Sequence, residues 1–427
     1  MPHGEWSAGE VAVEAGRYHS AMRWLRMLYL SNGLAIGALY GFVPVLLRSK
    51  GFDPALVGVA TSLGSVGYSV ALPAWGHLGD MVSGPRRTLQ VACLPAALFG
   101  LALGAPLPVM AVIVCVLVIS AGAGPAPALT DAMAIPVLTD PSREYSRLRL
   151  VTSVGAGGGA IACGLVYART GYAFAPVLYV VTMAMTLVSA HFVPMGRDSE
   201  RLRRVRQPNV EAAGRARSGR MGSVGEALAA RPRLAPVLVS VGLVFGGVIT
   251  AATYISIRIA DLGGGAVEVG LTNGVASAAE VPGLILAGWL VGRIGPRRLL
   301  AVSSLGFAAC LVSWIVLVDA LLILVTRFIS GIAFAGILVA FVLTIASMLP
   351  ARLQSTGQTL FQATGFGVAA IVSNLLGGLL YTVAGPLGVF GGGALCAVAG
   401  AAIGYAALPE LLSPLVRPVP EPVAPVP

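Results

Sequence analysis

The sequence has little charge. Of its 427 residues only 11% are Asp, Glu, Lys or Arg, whereas 56% are hydrophobic and the mean hydropathy is +0.86. A soluble chain of average composition has about 25% charged residues. Too few polar side chains therefore remain to cover a water-exposed surface, and an ordinary soluble domain is excluded. The composition predicts an all-α integral membrane protein that crosses the bilayer several times.

The sequence also lacks the patterns that catalysis, metal binding and nucleic-acid binding require. Its four histidines lie in terminal segments, a loop or a helix end, and its five cysteines lie in separate apolar blocks without a CxxC pair. No phosphate-binding GxxxxGK[ST] loop is present. The net charge of +10 comes from short basic clusters without zinc-finger spacing. These absences predict a non-enzyme without metal, cofactor, nucleic-acid partner or obligate protein partner.

Long apolar runs are abundant. A helix needs about 20 mostly apolar residues to cross the hydrocarbon core of a bilayer. Glycine and proline pairs separate most of the runs, as at Gly84-Pro85, Gly295-Pro296 and Gly385-Pro386. Twelve spans are predicted, at 24–47, 55–78, 88–105, 109–134, 149–168, 174–193, 235–258, 267–292, 299–318, 320–346, 355–381 and 386–408.

Basic residues predict the orientation and the domain boundaries. Most of the 28 Lys and Arg residues fall on one side if both termini are cytoplasmic, as the positive-inside rule requires. Residues 1–20 have no apolar run, so neither a signal nor a transit peptide is predicted. The predicted units are a cytoplasmic N-terminal tail (1–21), a six-helix bundle (22–193), a basic cytoplasmic linker (194–233), a second six-helix bundle (234–408) and a disordered proline-rich tail (409–427).

The two predicted bundles repeat one another. The segment Gly76-His-Leu-Gly-Asp80-Met-Val-Ser-Gly-Pro-Arg86-Arg87 follows the second span, and Gly288-Trp-Leu-Val-Gly-Arg-Ile-Gly-Pro-Arg297-Arg298 follows the eighth. Shorter matches occur at nearly the same offset elsewhere in the two halves. Two six-helix halves related by an axis along the membrane normal are typical of transporters that bind their substrate between the halves.

These motifs resemble the signature of the major facilitator superfamily. Its loop between the second and third helices reads G-x-L-x-D-x-x-G-x-R-R, and Asp80, Arg86 and Arg87 match it. The resemblance covers residues 22–408 and implies that Asp80, Arg86, Arg87, Arg297 and Arg298 form a cytoplasmic latch between the halves. A carboxylate can pair there with guanidinium groups and with the free N–H groups of a helix end.

Segments of this chain resemble two branches of that superfamily. The stretch Glu280 to Gly288 and residues 327–350 look like sugar efflux transporters, whereas Asp131-Ala132 and residues 144–149 look like the lactose and phenylpropionate permease branch. That branch commonly has histidine where this chain has Ser330. The resemblance therefore implies a sugar or a drug-like metabolite as solute and favours export over uptake.

Ionisable residues within the spans are the main functional candidates, because an unpaired charge in the bilayer costs several kcal/mol. Glu280 lies in the eighth span and shares one helix face with Asn273 and Ser277. Burial favours the protonated carboxyl group and a nearby guanidinium favours the ionised one, so its charge can respond to its surroundings. Glu280 is the predicted proton-coupling residue. The alternative is a structural pair with Arg327.

Arg327, in the tenth span, either neutralises Glu280 or binds the solute through its five donors. Asp131 and Arg149 are expected to pair near the inner ends of helices four and five, either as a structural pair or as part of a substrate clamp. Neutral polar groups complete the predicted substrate cavity, although hydrogen bonding between helices is an alternative role for each of them. The cavity residues predicted are Asn32, Tyr40, Tyr68, Asp131, Arg149, Asn273, Ser277, Arg327, Gln358 and Gln362.

The sequence thus predicts a secondary carrier in the cell membrane that moves a small organic solute by alternating access. The predicted partners are the solute, protons and the lipid bilayer. Proton-coupled efflux of a sugar or drug-like metabolite is the favoured reading. Proton-linked uptake, a non-transporting receptor and an integral-membrane enzyme are the alternatives.

Overall fold

The computed structural model describes residues 8–79, 82, 84–138, 140–194, 224–350 and 353–407. These residues form helices, with no strand among them, which confirms the all-α prediction. The first half contains α1 (Ala8–Ala35), a π-helical turn (Ile36–Tyr40), α2 (Val43–Ser49), α3 (Pro54–Leu78), α4 (Gly84–Ala102), α5 (Val109–Ala123), α6 (Ala126–Ala134), α7 (Pro141–Thr170), a 3₁₀ turn (Tyr172–Phe174) and α8 (Ala175–Phe192).

The second half has fewer but longer helices. They are α9 (Val224–Ala230), α10 (Leu234–Asp261), α11 (Ala266–Val316), α12 (Ala320–Met348), α13 (Gln354–Gln362), a π-helical turn (Ala363–Val368) and α14 (Ala369–Ala407). Asp80, residues 195–223 of the predicted linker and the predicted tail 409–427 lie outside the described residues.

Nine helical segments of the described chain are long and apolar enough to span a membrane. Two of them, Ala266–Val316 and Thr356–Ala407, have 51 and 52 residues, which is more than twice the length that one crossing needs. Each bends at a glycine with a left-handed backbone, Gly295 (φ 76°) or Gly385 (φ 58°). The dihedral angles of these glycines are non-helical, so each segment consists of two helices that meet at a kink, at the glycine-proline pair where the sequence predicts a separator. The number of twelve crossings remains a prediction.

One predicted span has its predicted bounds, and another is extended. The candidate span Val109–Ala134 coincides with the predicted span 109–134 and consists of α5 and α6, which are separated at Gly124 and Pro125. Proline at the start of α6 has no N–H to donate to the preceding turn, so the hydrogen-bond ladder is interrupted there. Helix α1 begins at Ala8 and not near residue 24, so the first span is the continuation of a longer helix.

Aspartates mark two helix starts at one end of the molecule. The carboxylate of Asp53 accepts a hydrogen bond from the backbone N–H of Leu56 at 2.7 Å, and Asp319 accepts one from Leu321 at 2.7 Å. Both are N-caps that satisfy N–H groups without a helical partner. We call this the acidic end, because Asp53, Asp261 and Asp319 lie there. The opposite end, with Arg86, Arg87, Arg297 and Arg298, is called the basic end.

Candidate functional site

Helices of the first half contact those of the second half through glycines. A Cβ atom added to Gly58 in α3 would lie 2.5 Å from the carbonyl oxygen of Asn374 in α14. A Cβ atom added to Gly270 in α11 would lie 2.5 Å from the carbonyl oxygen of Ala160 in α7. No side chain fits at these distances, so the two helix pairs touch backbone to backbone. Both contacts lie in the half of the molecule that is nearer the acidic end.

Polar side chains cross the same interface. Ser62 donates to the carbonyl oxygen of Ile371 at 2.9 Å, and the amide of Asn374 donates to Ser65 at 3.2 Å. The Oδ1 atom of Asn374 accepts a hydrogen bond from Thr253 at 2.7 Å. Asn374 is buried and thus links α3, α10 and α14 in one network. Such bonds replace hydration that is missing inside a membrane protein and hold the halves in register.

An ion pair lies at the edge of this interface. Nη2 of Arg48 in α2 is 3.6 Å from Oδ1 of Asp261 in α10, and the other oxygen of Asp261 accepts a hydrogen bond from Tyr381 at 2.6 Å. Beside the pair is a cavity of about 480 Å³ whose lining includes Asp53 and Tyr172. This cavity is at the acidic end and is distinct from the central cavity that the sequence predicts.

Towards the basic end, the faces of α7 and α11 that touch one another near the acidic end move apart. Gly157 of α7 is packed against α11, where an added Cβ atom would lie 3.3 Å from Cβ of Ser277. One and two turns further along that face of α7, Val154 and Leu150 are 61% and 43% exposed. On α11, Leu284 follows Ser277 on the same face and is 44% exposed. The two halves therefore meet near the acidic end and leave a cleft that opens towards the basic end.

Glu280 lies where this cleft begins. It is one turn beyond Ser277 on α11, and its side chain is partly exposed. Asn273, two turns away, donates to the carbonyl oxygens of Val269 (3.0 Å) and Gly41 (3.4 Å), and Gly41 belongs to the opposite half. The structure thus places the predicted stripe of Asn273, Ser277 and Glu280 on the face of α11 that is turned towards the first half.

Arg327 does not pair directly with Glu280. In the part of the chain that the structure describes, the two residues form no ion pair and no hydrogen bond with each other. Arg327 is only 8% exposed, its guanidinium carbon is 5.5 Å from the centroid of the Trp314 ring, and Nη1 is 3.4 Å from Ser330 Oγ. Its Nε is buried without a hydrogen-bond partner. The guanidinium therefore packs inside the second half and does not neutralise Glu280 directly.

Asp131 and Arg149 lie together, as the sequence predicts. Oδ2 of Asp131 is 3.7 Å from Nη1 of Arg149, and half of the Arg149 side chain is exposed. Two tyrosines that the sequence analysis did not identify also form hydrogen bonds with Asp131. The hydroxyl of Tyr29 in α1 donates to Oδ1 at 2.6 Å, and that of Tyr145 in α7 donates to Oδ2 at 3.0 Å. The position of Tyr145 four residues before Arg149 was a usable signal, whereas nothing in the sequence connects Tyr29 with Asp131.

The neutral cavity residues have different surroundings. Asn32 is buried and its Nδ2 donates to Thr130 at 2.7 Å, while its Oδ1 is buried without a partner. Tyr40 lies in the π-helical turn and is 38% exposed, and Gln362 is exposed at the end of α13. Gln358 donates to the carbonyl oxygen of Val342 at 3.1 Å, which is a contact between helices. The ring of Tyr68 packs against Gly124, where an added Cβ atom would lie 2.2 Å from it.

Two arginines of the predicted latch have contacts within their own half among the described residues. Arg86 donates to the carbonyl oxygen of Val193, and the guanidinium carbon of Arg297 lies 3.9 Å from the centroid of the Tyr405 ring. Arg87 and Arg298 are exposed. Because Asp80 lies outside the described residues, the latch between the halves stays a prediction.

A helical protein with several membrane-spanning segments and an ionisable cleft between its halves has the architecture of a membrane transporter. The sequence profile of the MFS_1 like family matches residues 22–391, and the chain belongs to this family of the major facilitator superfamily. The branch within the superfamily that the sequence suggested stays a prediction.

Similar proteins agree with this assignment. The maltose permease of Geobacillus stearothermophilus is 27% identical over 362 residues, which cover 83% of this chain and 86% of the permease. The solved nucleoside transporter NupG has a TM-score of 0.72 at 13% identity and covers 91% of this chain and 98% of its own. A solved D-xylose-proton symporter has a TM-score of 0.69 at 14% identity, with coverages of 92% and 98%. These two likenesses show the fold alone.

Proposed function

We propose that the protein is a secondary carrier that moves a small, hydroxyl-rich solute across the cell membrane by alternating access. The observation that supports this most is the position of Glu280, a carboxyl group inside a membrane-spanning helix at the start of a cleft between the halves. An ionisable group is costly at that depth and is retained where it binds an ion, a proton or a substrate. Glu280 is accordingly the proposed proton-coupling residue.

The pair of Asp131 and Arg149 fits an uncharged polyol such as a sugar. The carboxylate and the guanidinium balance one another, so an added charge on the solute would be left uncompensated. A solute hydroxyl can accept a hydrogen bond from Arg149 and donate to Asp131 at once. The names of the similar maltose permease and D-xylose-proton symporter support a sugar as the solute. The name of the symporter also supports coupling to protons.

Twelve crossings with both termini in the cytoplasm are part of this proposal. The two long helices that bend at Gly295 and Gly385 each fit two crossings, and α4 (Gly84–Ala102) fits a crossing that is short and less apolar. The basic end then faces the cytoplasm, as the positive-inside rule requires. The cleft is therefore open to the cytoplasm in this conformation.

Export and uptake use the same site, and the direction of net flux depends on the gradient that drives it. The sequence favoured export, because Ser330 replaces the histidine that is common in the permease branch. The word symporter in the name of the D-xylose-proton symporter favours uptake. A catalytic or purely receptor role has no comparable support, since the family and its structural neighbours are transporters.

Counterflow in proteoliposomes tests the proposal. Vesicles that contain the purified protein are loaded with unlabelled maltose, D-xylose or a nucleoside, and the entry of trace labelled solute is followed. We expect exchange with a sugar that depends on the protein and is reduced at least tenfold by Arg149→Gln. Exchange with none of a broad panel of sugars would reject the substrate class, and exchange with a nucleoside alone would replace it.

A further inference from the structure

The cavity at the acidic end lies between the two halves of the protein. Its lining comes from the first half through α2, the segment from Gly51 to Asp53 and Tyr172, and from the second half through Ala260 and Asp261. Its volume of about 480 Å³ is in the range of about 300–1,000 Å³ that small-molecule sites occupy. Because both halves contribute walls, the cavity is complete only while the acidic end is closed.

The ion pair on the wall of this cavity repeats the arrangement at Asp131. One oxygen of Asp261 has an arginine Nη atom 3.6 Å away, and one oxygen of Asp131 has such an atom 3.7 Å away. The other oxygen of each carboxylate accepts a hydrogen bond of 2.6 Å from a tyrosine hydroxyl, which belongs to Tyr381 at Asp261 and to Tyr29 at Asp131. The cavity therefore presents the same polar groups as the pair to which the solute is assigned.

Two further polar side chains line the cavity. The carboxylate of Asp53 accepts a hydrogen bond from the backbone N–H of Leu56 through Oδ1, and its Oδ2 has no hydrogen bond to another described residue. The ring centroid of Tyr172 lies 6.3 Å from that of Phe42 and 6.5 Å from that of Tyr167, so these rings hold it in place. Its hydroxyl forms no hydrogen bond within the described part of the chain. One carboxylate oxygen and one hydroxyl group therefore remain available to a ligand.

The charges in the cavity favour an uncharged ligand with several hydroxyl groups. Arg48 is paired with Asp261, and Asp53 lies at the N-terminus of α3, where the partial positive charge of the helix offsets its own charge. A hydroxyl group can accept a hydrogen bond from the guanidinium group and donate one to a carboxylate. An anion would meet two carboxylates and only one guanidinium group. The ring of Phe52 adds apolar surface, which small-molecule sites combine with a few polar groups.

We propose that this cavity binds a second molecule of the hydroxyl-rich solute while the cleft is open at the basic end. The inference rests on the proposed function, which supplies the class of solute. A molecule held between Arg48 and Asp261 contacts both halves, so it stabilises the conformation that is closed at the acidic end. It must leave before that end opens. A high solute concentration on this side of the membrane therefore slows the conformational cycle.

Protection of a cysteine against alkylation tests this site in the detergent-purified full chain. Ala260→Cys places a thiol in an exposed part of the lining, and peptide mass spectrometry follows its reaction with a maleimide. The probes are maltose and D-xylose, and a titration with each sugar gives its Kd. At a concentration about four times Kd, labelling should slow about fivefold, because only the empty fraction reacts.

The control is Val318→Cys at the same end of the molecule. Val318 is 77% exposed and is not among the described residues that line the cavity. This thiol should react equally fast with and without the sugar. A decrease common to both positions would come from an effect of the sugar on the maleimide or on the whole protein.

Two double variants separate the cavity from the central cleft. Combining Ala260→Cys with Arg149→Gln removes the donor proposed for the central site, and this variant should keep the protection. Combining Ala260→Cys with Tyr172→Leu removes a hydroxyl group and an aromatic ring from the cavity, and this variant should lose it. Size-exclusion profiles confirm that each variant is folded.

Four outcomes would overturn the proposal. In the first, neither sugar protects position 260, and counterflow of a sugar would then leave the proposed function standing without this site. In the second, position 318 is protected equally. In the third, Arg149→Gln abolishes the protection, which shows that the effect arises from the central cleft. In the fourth, Tyr172→Leu retains it, which places the sugar elsewhere. Protection by a sugar that the wild type does not exchange would support the cavity site and reject the proposed function.

Discussion

Arg48 and Asp261 form an ion pair, 3.6 Å apart, that joins the first and the second half of the protein at the acidic end. The carboxylate of Asp261 also accepts the hydrogen bond of Tyr381, so its position is fixed from within its own half. Opening the acidic end requires the separation of Arg48 from Asp261. The pair is thus present in the conformation that is closed at the acidic end, and it is absent from a conformation that is open at that end.

Loss of this pair should favour opening at the acidic end. Side-chain exposures of 38% and 34% mean that solvent screens the pair, so its contribution is about 1 kcal/mol or less. D261N should therefore raise the population that is open at this end by up to about fivefold. Pulsed dipolar spectroscopy between spin labels at residues 169 and 387 measures this population as a longer distance. The exchanged pair R48D/D261R should return it towards wild type, and an unchanged distribution in D261N would contradict the role of the pair.

Substitution of Gly58, at the contact between α3 and α14, should impair transport far more than loss of the ion pair does. Gly58→Ala places a methyl group 2.5 Å from a backbone carbonyl oxygen, so the helices must move apart. We expect this variant to lose most transport while it remains in the membrane, because the halves no longer close at the acidic end. The matched control is Gly76→Ala on the same helix, where an added Cβ atom meets nothing within 4 Å. Equal transport by the two variants would show that the close approach is not needed.

The hydrogen bonds of Tyr29 and Tyr145 should contribute unequally to holding Asp131 in position. A hydrogen bond to a charged group contributes about 1.5–3 kcal/mol, and the Tyr29 bond is the shorter of the two, at 2.6 Å against 3.0 Å. Tyr29→Phe should therefore raise KM for the solute by about tenfold or more, and Tyr145→Phe should raise it less. Initial rates of counterflow over a range of solute concentrations provide the comparison. A reduced thermal midpoint with an unchanged KM would indicate that the two hydroxyls only stabilise the fold.

Arg327 should act on stability more than on solute binding. It is buried against Trp314 and Ser330 inside the second half. Arg327→Ala leaves Ser330 without that donor and opens a void, so the thermal midpoint in detergent should fall by several degrees. Arg327→Lys keeps the charge and should recover part of the loss. If the folded Ala variant has normal stability but no solute exchange, Arg327 belongs to the binding site.

The sequence predicted features that depend on local composition. Apolar runs located the helices, and the stripe of Asn273, Ser277 and Glu280 followed from helical periodicity alone. The glycine-proline pair also predicted the break in α11 at Gly295, where the backbone dihedral angles are non-helical. The bonds of Asp131 with Tyr29 and of Arg48 with Asp261 depend on how distant helices pack. No single sequence reveals that packing.

We expect Glu280 to couple solute movement to protons within an alternating cleft. The most direct measurement compares wild type with Glu280→Gln in proteoliposomes, with solute accumulation under an imposed pH gradient and counterflow without a gradient. The amide cannot exchange a proton, so the variant should lose gradient-driven accumulation and retain counterflow. Accumulation that responds to the pH gradient as in wild type would show that Glu280 does not couple transport to protons.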